Sequence, residues 1–169
     1  MARAIVVYGD PVLHHRCEEV TAFDDELRAL VKDMFATMYA AKGVGLAANQ
    51  IGVNARVFVM DCADDDGNRL VGYAINPTLH VPEAEGERAL EIDHEGCLSV
   101  PGPYEDLGRL THAHVHGVDL DQEPVTLAGE GYIARCLQHE MDHLEGLLYV
   151  DRLPVKVRKR LLKEAGLAV

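Results

Sequence analysis

Two histidines flanking a glutamate are the strongest chemical signal in this 169-residue sequence, at His139, Glu140 and His143. On an α-helix, positions i and i+4 lie on one face, so both imidazoles could bind a single metal ion. Glu140 lies about 100° around such a helix from His139, where its carboxylate could flank a water without occupying a coordination position. The pattern indicates metal-assisted hydrolysis, in which the glutamate takes and returns the water's proton. The alternative interpretation is a pair of surface histidines at helical spacing.

A catalytic metal usually has three protein ligands, and the third must come from elsewhere in the chain. Metalloproteases with this helix motif take their third ligand from downstream. One class would place a histidine three residues after Gly146, where this chain has Tyr149. Another class uses a downstream glutamate, and the candidate here, Glu164, lies in a basic amphipathic segment, so both are poor matches. Cys97 is the better candidate, because residues 95–102 contain two Gly and one Pro and predict a shaped loop or strand end. A small buried thiol is the alternative interpretation of this cysteine.

A third segment, residues 43–52, contains three Gly and two Ala and includes Gln50. Small residues allow close backbone approach, and the glutamine offers an amide donor and acceptor. A phosphate-binding loop is a poor match, because no Lys-Ser/Thr pair follows and no helix is predicted to begin there. A tight helix-to-strand connection is the alternative interpretation.

In this order and spacing, the three segments resemble the motifs of the peptide deformylase family, G-x-G-x-A-A-x-Q, E-G-C-x-S and H-E-x-x-H, and all three are intact. Residues 8–13 also resemble the family's opening, so the likeness covers most of the chain. The resemblance implies an enzyme that removes the formyl group from the N-terminal formyl-methionine of newly made bacterial polypeptides, releasing formate. Its expected partners are N-formyl-methionyl nascent chains.

The resemblance also implies roles for individual residues. Three residues are expected to bind one metal ion per chain: Cys97, His139 and His143. That ion is typically Fe(II), replaceable by zinc, nickel or cobalt. Glu140 is expected to take the proton of the attacking water and pass it to the leaving amine. The Leu98 backbone N–H and the Gln50 side-chain amide are expected to donate to the anionic oxygen of the tetrahedral intermediate.

Specificity for methionine requires an apolar pocket beside the metal. Four residues are predicted to line it: Val44, Tyr132, Arg135 and Cys136. The last three precede His139 by seven, four and three residues and share its helical face. Cys136 is therefore interpreted as pocket lining or core rather than as a fourth ligand. Gly45 resembles the family residue whose backbone pairs with the extended substrate.

Two positions depart from the family pattern. Arg135 occupies a position that is often apolar in the family, so the predicted methionine pocket contains a polar residue that the family pattern does not expect. Many members carry an arginine shortly after the proline of the second motif, whereas the first arginine after Pro101 is here Arg109. The contacts that family members make beyond the first substrate residue are therefore not expected to be carried over unchanged to this chain.

Helices and strands must position these groups. Apolar residues at helical period predict three helices, over residues 24–41, 132–144 and 155–164. Strands are predicted over residues 55–60, 70–75, 110–120 and 124–127. Strands clustered between helices, without regular alternation, predict an α+β fold. We expect one compact domain over residues 1–169, with a mixed or antiparallel β framework packed around the central His-Glu-x-x-His helix, plus N-terminal and C-terminal helices.

Charge and composition restrict the binding partners and the cellular location that we expect for this protein. With 28 acidic and 16 basic residues, the net charge of −12 argues against nucleic-acid recognition through the general field. The one basic cluster contains Lys156, Arg158, Lys159, Arg160 and Lys163. We hypothesise that it contacts the ribosome; a solvated helix face is the alternative. No apolar run approaches the length of a membrane span and no signal-peptide pattern opens the sequence, which predicts a cytoplasmic protein.

Some features have simpler interpretations. His112, His114 and His116 alternate and would share one face of a strand, where a solvent-facing position is favoured over a second metal site. The four cysteines are predicted to be free thiols or metal ligands rather than disulfides. Two other functions compete with the deformylase prediction: a zinc-dependent endopeptidase that shares only the His-Glu helix, and a non-catalytic relative that has lost turnover.

Overall fold

The computed structural model describes residues 1–80 and 82–168, with the backbone alone of residue 87. The α-helices are α1 (Asp25–Ala40), α2 (Gly131–Leu144) and α3 (Val155–Glu164). The strands are β1 (Gly45–Ala47), β2 (Val57–Ala63), β3 (Arg69–His80), β4 (Leu90–Cys97), β5 (Val100–Leu110), β6 (His112–Val118) and β7 (Pro124–Glu130). Short 3₁₀ turns span Pro11–His14, Ala48–Ile51, Glu85–Arg88 and Tyr149–Arg152. Among the described residues, no helix is long and apolar enough to cross a membrane.

Two antiparallel sheets form the β framework. Five strands make the larger sheet, in the order β1-β2-β3-β6-β7, and β4 pairs with β5 in a separate hairpin. Every pair between these strands is antiparallel. The predicted α+β class and single compact domain are confirmed, with the antiparallel form of the framework.

The three predicted helices are present within a residue or so of their predicted ends. Helix α1 begins where the Asp24 side chain accepts a 3.0 Å hydrogen bond from the Leu27 backbone N–H, which satisfies one free donor of the first turn. Its apolar face is buried through Leu27, Leu30, Val31, Met34 and Met38. This face packs against the core cluster that contains β1 and β2 residues.

Helix α2 lies at the centre of the molecule and contacts strands of both sheets. Its Leu137 and Leu144 are fully buried in one core cluster with Phe58 and Val115. Its polar residues are buried as well: Arg135, Gln138, Glu140, Asp142 and His143. Buried polar groups cost free energy unless they are paired, so a helix of this composition needs partners on every side.

The strands predicted over residues 55–60, 70–75 and 124–127 correspond to β2, β3 and β7, whereas the short strand β1 was not predicted and the predictions were wrong around the hairpin. The predicted strand over residues 110–120 is two elements, because β5 ends at Leu110 and β6 begins at His112. The β4–β5 hairpin was missed, since much of it is exposed and its apolar side chains are few; Leu90 and Ile92 are 67% and 73% exposed. Residues 95–102 form the strand ends and turn of this hairpin, as predicted.

The alternating histidines lie on β6 as predicted. His114 and His116 are exposed, whereas the intervening Ala113 and Val115 are buried in the core. The histidines therefore lie on the solvent side of the large sheet.

Gly146 closes the turn after α2. Its backbone has φ +80°, and an added Cβ would lie 2.6 Å from the His15 backbone nitrogen. The Leu147 N–H donates back to the Asp142 carbonyl at 2.9 Å, a bond typical of a left-handed helix end.

We expect Gly146→Ala to lower the free energy of unfolding by about 2 kcal/mol or more, because left-handed strain adds to overlap with the His15 backbone. Gly67→Ala is the matched control: its φ is +87° and its added Cβ would meet no atom within 4 Å. That control should cost about 1 kcal/mol. Chemical denaturation measures both, and equal losses would contradict a role for the His15 contact.

Candidate active site

One thiol and two imidazoles meet at the centre of the molecule. The ligand atoms of Cys97, His139 and His143 all lie within 4.8 Å of one another, and no other such group occurs in the described part of the chain. The His143 Nε2 atom lies 3.3 Å from Cys97 Sγ and 3.2 Å from His139 Nε2. Cys97 ends β4, and the two histidines lie one turn apart on α2. The structure therefore brings together all three sequence-predicted ligands.

This donor set fits a divalent transition metal. A cysteine and two histidines offer three ligands and leave a position open for water or substrate, as catalytic sites require. The Nδ1 atom of His139 is bonded to Glu95 Oε2 at 2.7 Å, so its Nε2 atom is the one that faces the cluster. Burial lowers the pKa of His143 well below its ordinary value, which favours the neutral ring that binds metals.

Glu140 lies beside the cluster without belonging to it. Its Oε1 atom is 3.9 Å from His139 Nε2, and its Oε2 atom is buried without a hydrogen-bond partner. An added Cβ on Gly45 would meet Oε1 at 2.7 Å, so only a glycine lets β1 pass so close. Burial raises the pKa of Glu140 to about 7. A carboxyl group with such a pKa can both accept and return a proton near neutral pH.

Gln50 faces the same cluster from the 3₁₀ turn after β1. Its Oε1 atom accepts from the Ala47 backbone N–H at 3.0 Å, which fixes the orientation of the amide. Its Nε2 atom donates to Ser99 Oγ at 3.1 Å and lies 3.6 Å from Cys97 Sγ. Leu98, in the β4–β5 turn, lines the adjoining cavity. Both predicted oxyanion donors therefore belong to segments that border the cluster.

A cavity of about 320 Å³ opens beside the three candidate ligands. All of the predicted pocket residues line it: Val44, Gly45, Tyr132, Arg135 and Cys136. Val44 and Tyr132 are 38% and 40% exposed, which places them toward the mouth, whereas Cys136 is only 6% exposed.

Arg135 does not give this cavity a free positive charge. The residue is 4% exposed. Its guanidinium donates to Glu95 Oε1 at 3.0 Å and to the Leu107 and Glu91 carbonyls at 2.8 Å each. The guanidinium is therefore bonded within the protein, so Arg135, despite its departure from an apolar family position, presents no unpaired charge to the pocket.

A buried chain of charged groups holds the cluster in place. The Glu95 carboxylate accepts two bonds from Arg109, at 3.0 and 2.6 Å, besides the one from His139. Arg109 also donates to Asp142 at 2.6 Å, and Asp142 accepts two bonds from Arg152. Burial alone would raise the pKa of Glu95, but the bonds from His139 and Arg109 outweigh it and hold that pKa well below its ordinary value.

Sequence reasoning missed the residues that form this buried series of charged groups. Glu95 and Asp142 lie inside the two motifs that supply the ligands, which was the available signal. Arg109 was noted only for its distance from Pro101, and nothing local pointed to Arg152. Asn49, also unassigned, donates from Nδ2 to the His143 carbonyl at 2.6 Å and thereby ties the first motif to α2.

Known proteins resemble this chain throughout. The family model described as polypeptide deformylase matches residues 2–159. Peptide deformylase 1 of Streptomyces avermitilis is 53% identical over 163 residues, covering 96% of this chain and 75% of that protein. Peptide deformylase 2 of Streptomyces coelicolor is 51% identical, covering 98% and 90%.

Solved structures agree. The crystal structure of peptide deformylase from Ehrlichia chaffeensis matches with a TM-score of 0.86 at 33% identity, covering 98% of this chain and 96% of that one. The peptide deformylase of Synechococcus elongatus, in complex with actinonin, matches with a TM-score of 0.85 at 38% identity, covering 100% and 90%.

We expect Glu95→Gln to lower the free energy of unfolding by about 3 kcal/mol at neutral pH, because it deprives the buried Arg109 and Arg135 of their carboxylate. Because the folded-state pKa of Glu95 is depressed, its contribution is present above the ordinary glutamate pKa and is lost as the pH falls. The difference from wild type should therefore shrink below about pH 4. Denaturant titration at several pH values measures both effects.

Glu105→Gln is the matched control, since Glu105 pairs with Arg160 and its side chain is 27% exposed, against 4% for Glu95. Its loss should stay below about 1 kcal/mol. Similar losses for the two variants would show that the buried charges do not depend on Glu95.

Proposed function

Because this chain belongs to the peptide deformylase family, we propose that Cys97, His139 and His143 hold its metal ion and that Glu140 carries the proton in its reaction. The enzyme is a deformylase, which removes the N-formyl group from nascent polypeptides. The observation that carries the assignment of residues is the convergence of one thiol and two imidazoles beside a buried, unpartnered carboxylate oxygen.

Peptide deformylases are metalloenzymes. We propose Fe(II), one ion per chain, with zinc, nickel or cobalt as substitutes, because one thiolate and two imidazoles suit each of these ions. A bound ion would polarise the formyl carbonyl and lower the pKa of a water in the site.

Glu140 supplies the proton transfers in this proposal. Its carboxylate takes a proton from the attacking water, which adds to the formyl carbon. It then passes that proton to the amine as the C–N bond breaks, leaving formate and a free α-amino group. The pKa of about 7 supports both transfers, since neither protonation state is strongly favoured at neutral pH.

Gln50 and Leu98 stabilise the anionic oxygen of the tetrahedral intermediate. We assign this role to the Gln50 Nε2 donor and to the Leu98 backbone N–H. The Ala47 bond to Gln50 Oε1 supports the assignment, because it keeps Nε2 pointed toward the cluster without rearrangement during the reaction. Loss of one such donor typically costs about 3 kcal/mol of transition-state stabilisation.

The substrate's methionine side chain occupies the cavity in this proposal, against Val44, Tyr132 and Cys136. The peptide backbone extends along Gly45. Strand β1 supports this placement, because it lies at one edge of the large sheet and, among the described strands, pairs with β2 alone. Its outer backbone groups could therefore pair with an extended peptide.

We expect Glu140→Gln to reduce formate release from an N-formyl-methionyl peptide by about 10²- to 10⁴-fold, because the variant cannot accept a proton. Its metal content should match that of wild type, since Glu140 is not a ligand. Glu130→Gln is the matched control, near the start of α2 with its side chain 74% exposed, and should keep full activity. An undiminished rate in the Glu140 variant would refute its proposed role.

The endopeptidase alternative is not favoured by the comparisons, and Cys97→Ala tests it directly. We expect this variant to lose metal, as measured by elemental analysis of the dialysed protein. An endopeptidase that used only the helix histidines and a downstream ligand would retain it. Cys17→Ala, which removes a buried thiol that does not belong to the group of three candidate ligands, should leave the metal content unchanged.

We also propose a cytoplasmic location and a ribosome contact through α3. Arg160 is already paired with Glu105 and Glu164, so it offers less to an external anion than the sequence suggested. Lys156, Lys159 and Lys163 are exposed and supply the contact instead.

We expect Lys156→Glu/Lys159→Glu to abolish co-sedimentation with ribosomes at low salt, because the change replaces attraction for phosphate by repulsion. Formate release from a short peptide should be unaffected. Arg28→Glu/Lys32→Glu makes the same charge change on exposed positions of α1. If both double variants bind ribosomes as wild type does, α3 is not the contact.

A further inference from the structure

Two thiols that take no part in the chemical steps of deformylation lie in contact at the wall of the cavity. Cys62 on β2 and Cys136 on α2 have their sulfur atoms 2.8 Å apart. Both residues are buried, at 1% and 6% exposure, in the core cluster where the large sheet packs on α2. The Cys62 thiol also lies 3.9 Å from the Tyr132 carbonyl, which places it under the first turns of that helix.

The two sulfurs are close to bonding distance. A disulfide bond is about 2.0 Å long, so they would need to approach by less than about 1 Å. Cys62 lies on an inner strand of the large sheet and Cys136 on the buried helix, so the packing of the fold holds the two thiols together.

The two thiols differ in access. Cys136 lines the cavity of about 320 Å³, whereas Cys62 is not among its lining residues. A small oxidant that enters the cavity can therefore reach the Cys136 sulfur, with the Cys62 sulfur directly behind it. Cys136 is therefore placed to meet the oxidant first and Cys62 to resolve the product, while contact with Cys62 and burial raise the pKa of the Cys136 thiol and slow its oxidation.

We propose that Cys62 and Cys136 form a reversible thiol–disulfide site at the wall of the active-site cavity. Hydrogen peroxide forms the disulfide bond and a thiol reductant breaks it. The Cys136 sulfur attacks one peroxide oxygen, the O–O bond breaks, and one water leaves, giving a sulfenic acid. The Cys62 sulfur then attacks the Cys136 sulfur, the S–O bond breaks, and the departing hydroxide takes the Cys62 proton as a second water.

The electrons balance in both directions. The sulfur pair gives two electrons to the peroxide, which is reduced to two waters. A dithiol reductant returns two electrons and two protons through a mixed disulfide. In a reducing compartment such a bond is transient, which is typical of redox-sensing cysteines rather than structural ones.

The bridge would tie β2 to the helix that carries His139. It would join two residues far apart in sequence, so it should reduce the freedom of the unfolded chain and raise the thermal stability. The site is independent of the assigned ligands, because neither sulfur belongs to the metal-site cluster.

Peptide mapping of the full-length protein tests the proposal. Zinc-loaded protein is treated with hydrogen peroxide, then denatured in N-ethylmaleimide and digested without reductant. Zinc is chosen because it has no redox chemistry of its own. We expect one linked peptide pair joining Cys62 to Cys136, two fewer alkylated thiols, a higher Tm, and reversal of all three by dithiothreitol.

Two variants sharpen the result. Cys62→Ala should lose the linked peptide and leave a sulfenic acid at Cys136 that dimedone traps. Cys17→Ala removes another buried thiol of the same core cluster and should keep the link. The proposal is overturned if Cys62 and Cys136 both remain alkylated while methionines become oxidised, or if either one links to Cys17 or Cys97 instead. Because the map reports each cysteine separately, these outcomes are read independently of deformylase activity.

Discussion

The Glu95 carboxylate is the point on which the site depends. It is buried, accepts from two arginines and a histidine, and lies two residues before a candidate ligand on the same strand. Through Arg109 it also reaches Asp142 on α2, so one carboxylate joins the hairpin to the central helix. A buried charge of this kind is tolerated only because every oxygen is bonded, and each bond restricts the geometry of the cluster.

Burial of α2 gives the site its chemistry. A helix on the surface would leave its carboxylate in water with an ordinary pKa. Here the large sheet, β1 and the hairpin enclose the helix, and burial brings the pKa of Glu140 to about 7. The same enclosure explains the close approach of Gly45, since a larger residue would displace the carboxylate. Fold and reactivity thus have one physical cause, the removal of water from around a polar helix.

The two sheets have different roles in building the site. The five-stranded sheet supplies the apolar core under α2, and its edge strand β1 borders the cavity. The small hairpin supplies Cys97 and Glu95 but buries few apolar residues of its own. Its buried Val100 and Leu107 pack against the C-terminal part of the chain, whereas its contacts to α2 are largely polar, which accounts for the density of charge at that interface. Elsewhere, between β2 and α2, packing is apolar and brings two thiols into contact instead.

Local pattern in the sequence determined the helices, the strands of the large sheet other than β1, and the three motifs that carry the candidate ligands. Helical period placed two histidines on one face, and the family motifs pointed to Cys97 as their partner. Only the tertiary structure decided what surrounds them: the Arg109 pairing, the inward turn of Arg135, the hairpin, and the contact between Cys62 and Cys136. The physical reason is that periodicity reports which side of an element is buried. It does not report which distant residue will lie against that side, because that depends on how the sheets and helix pack together.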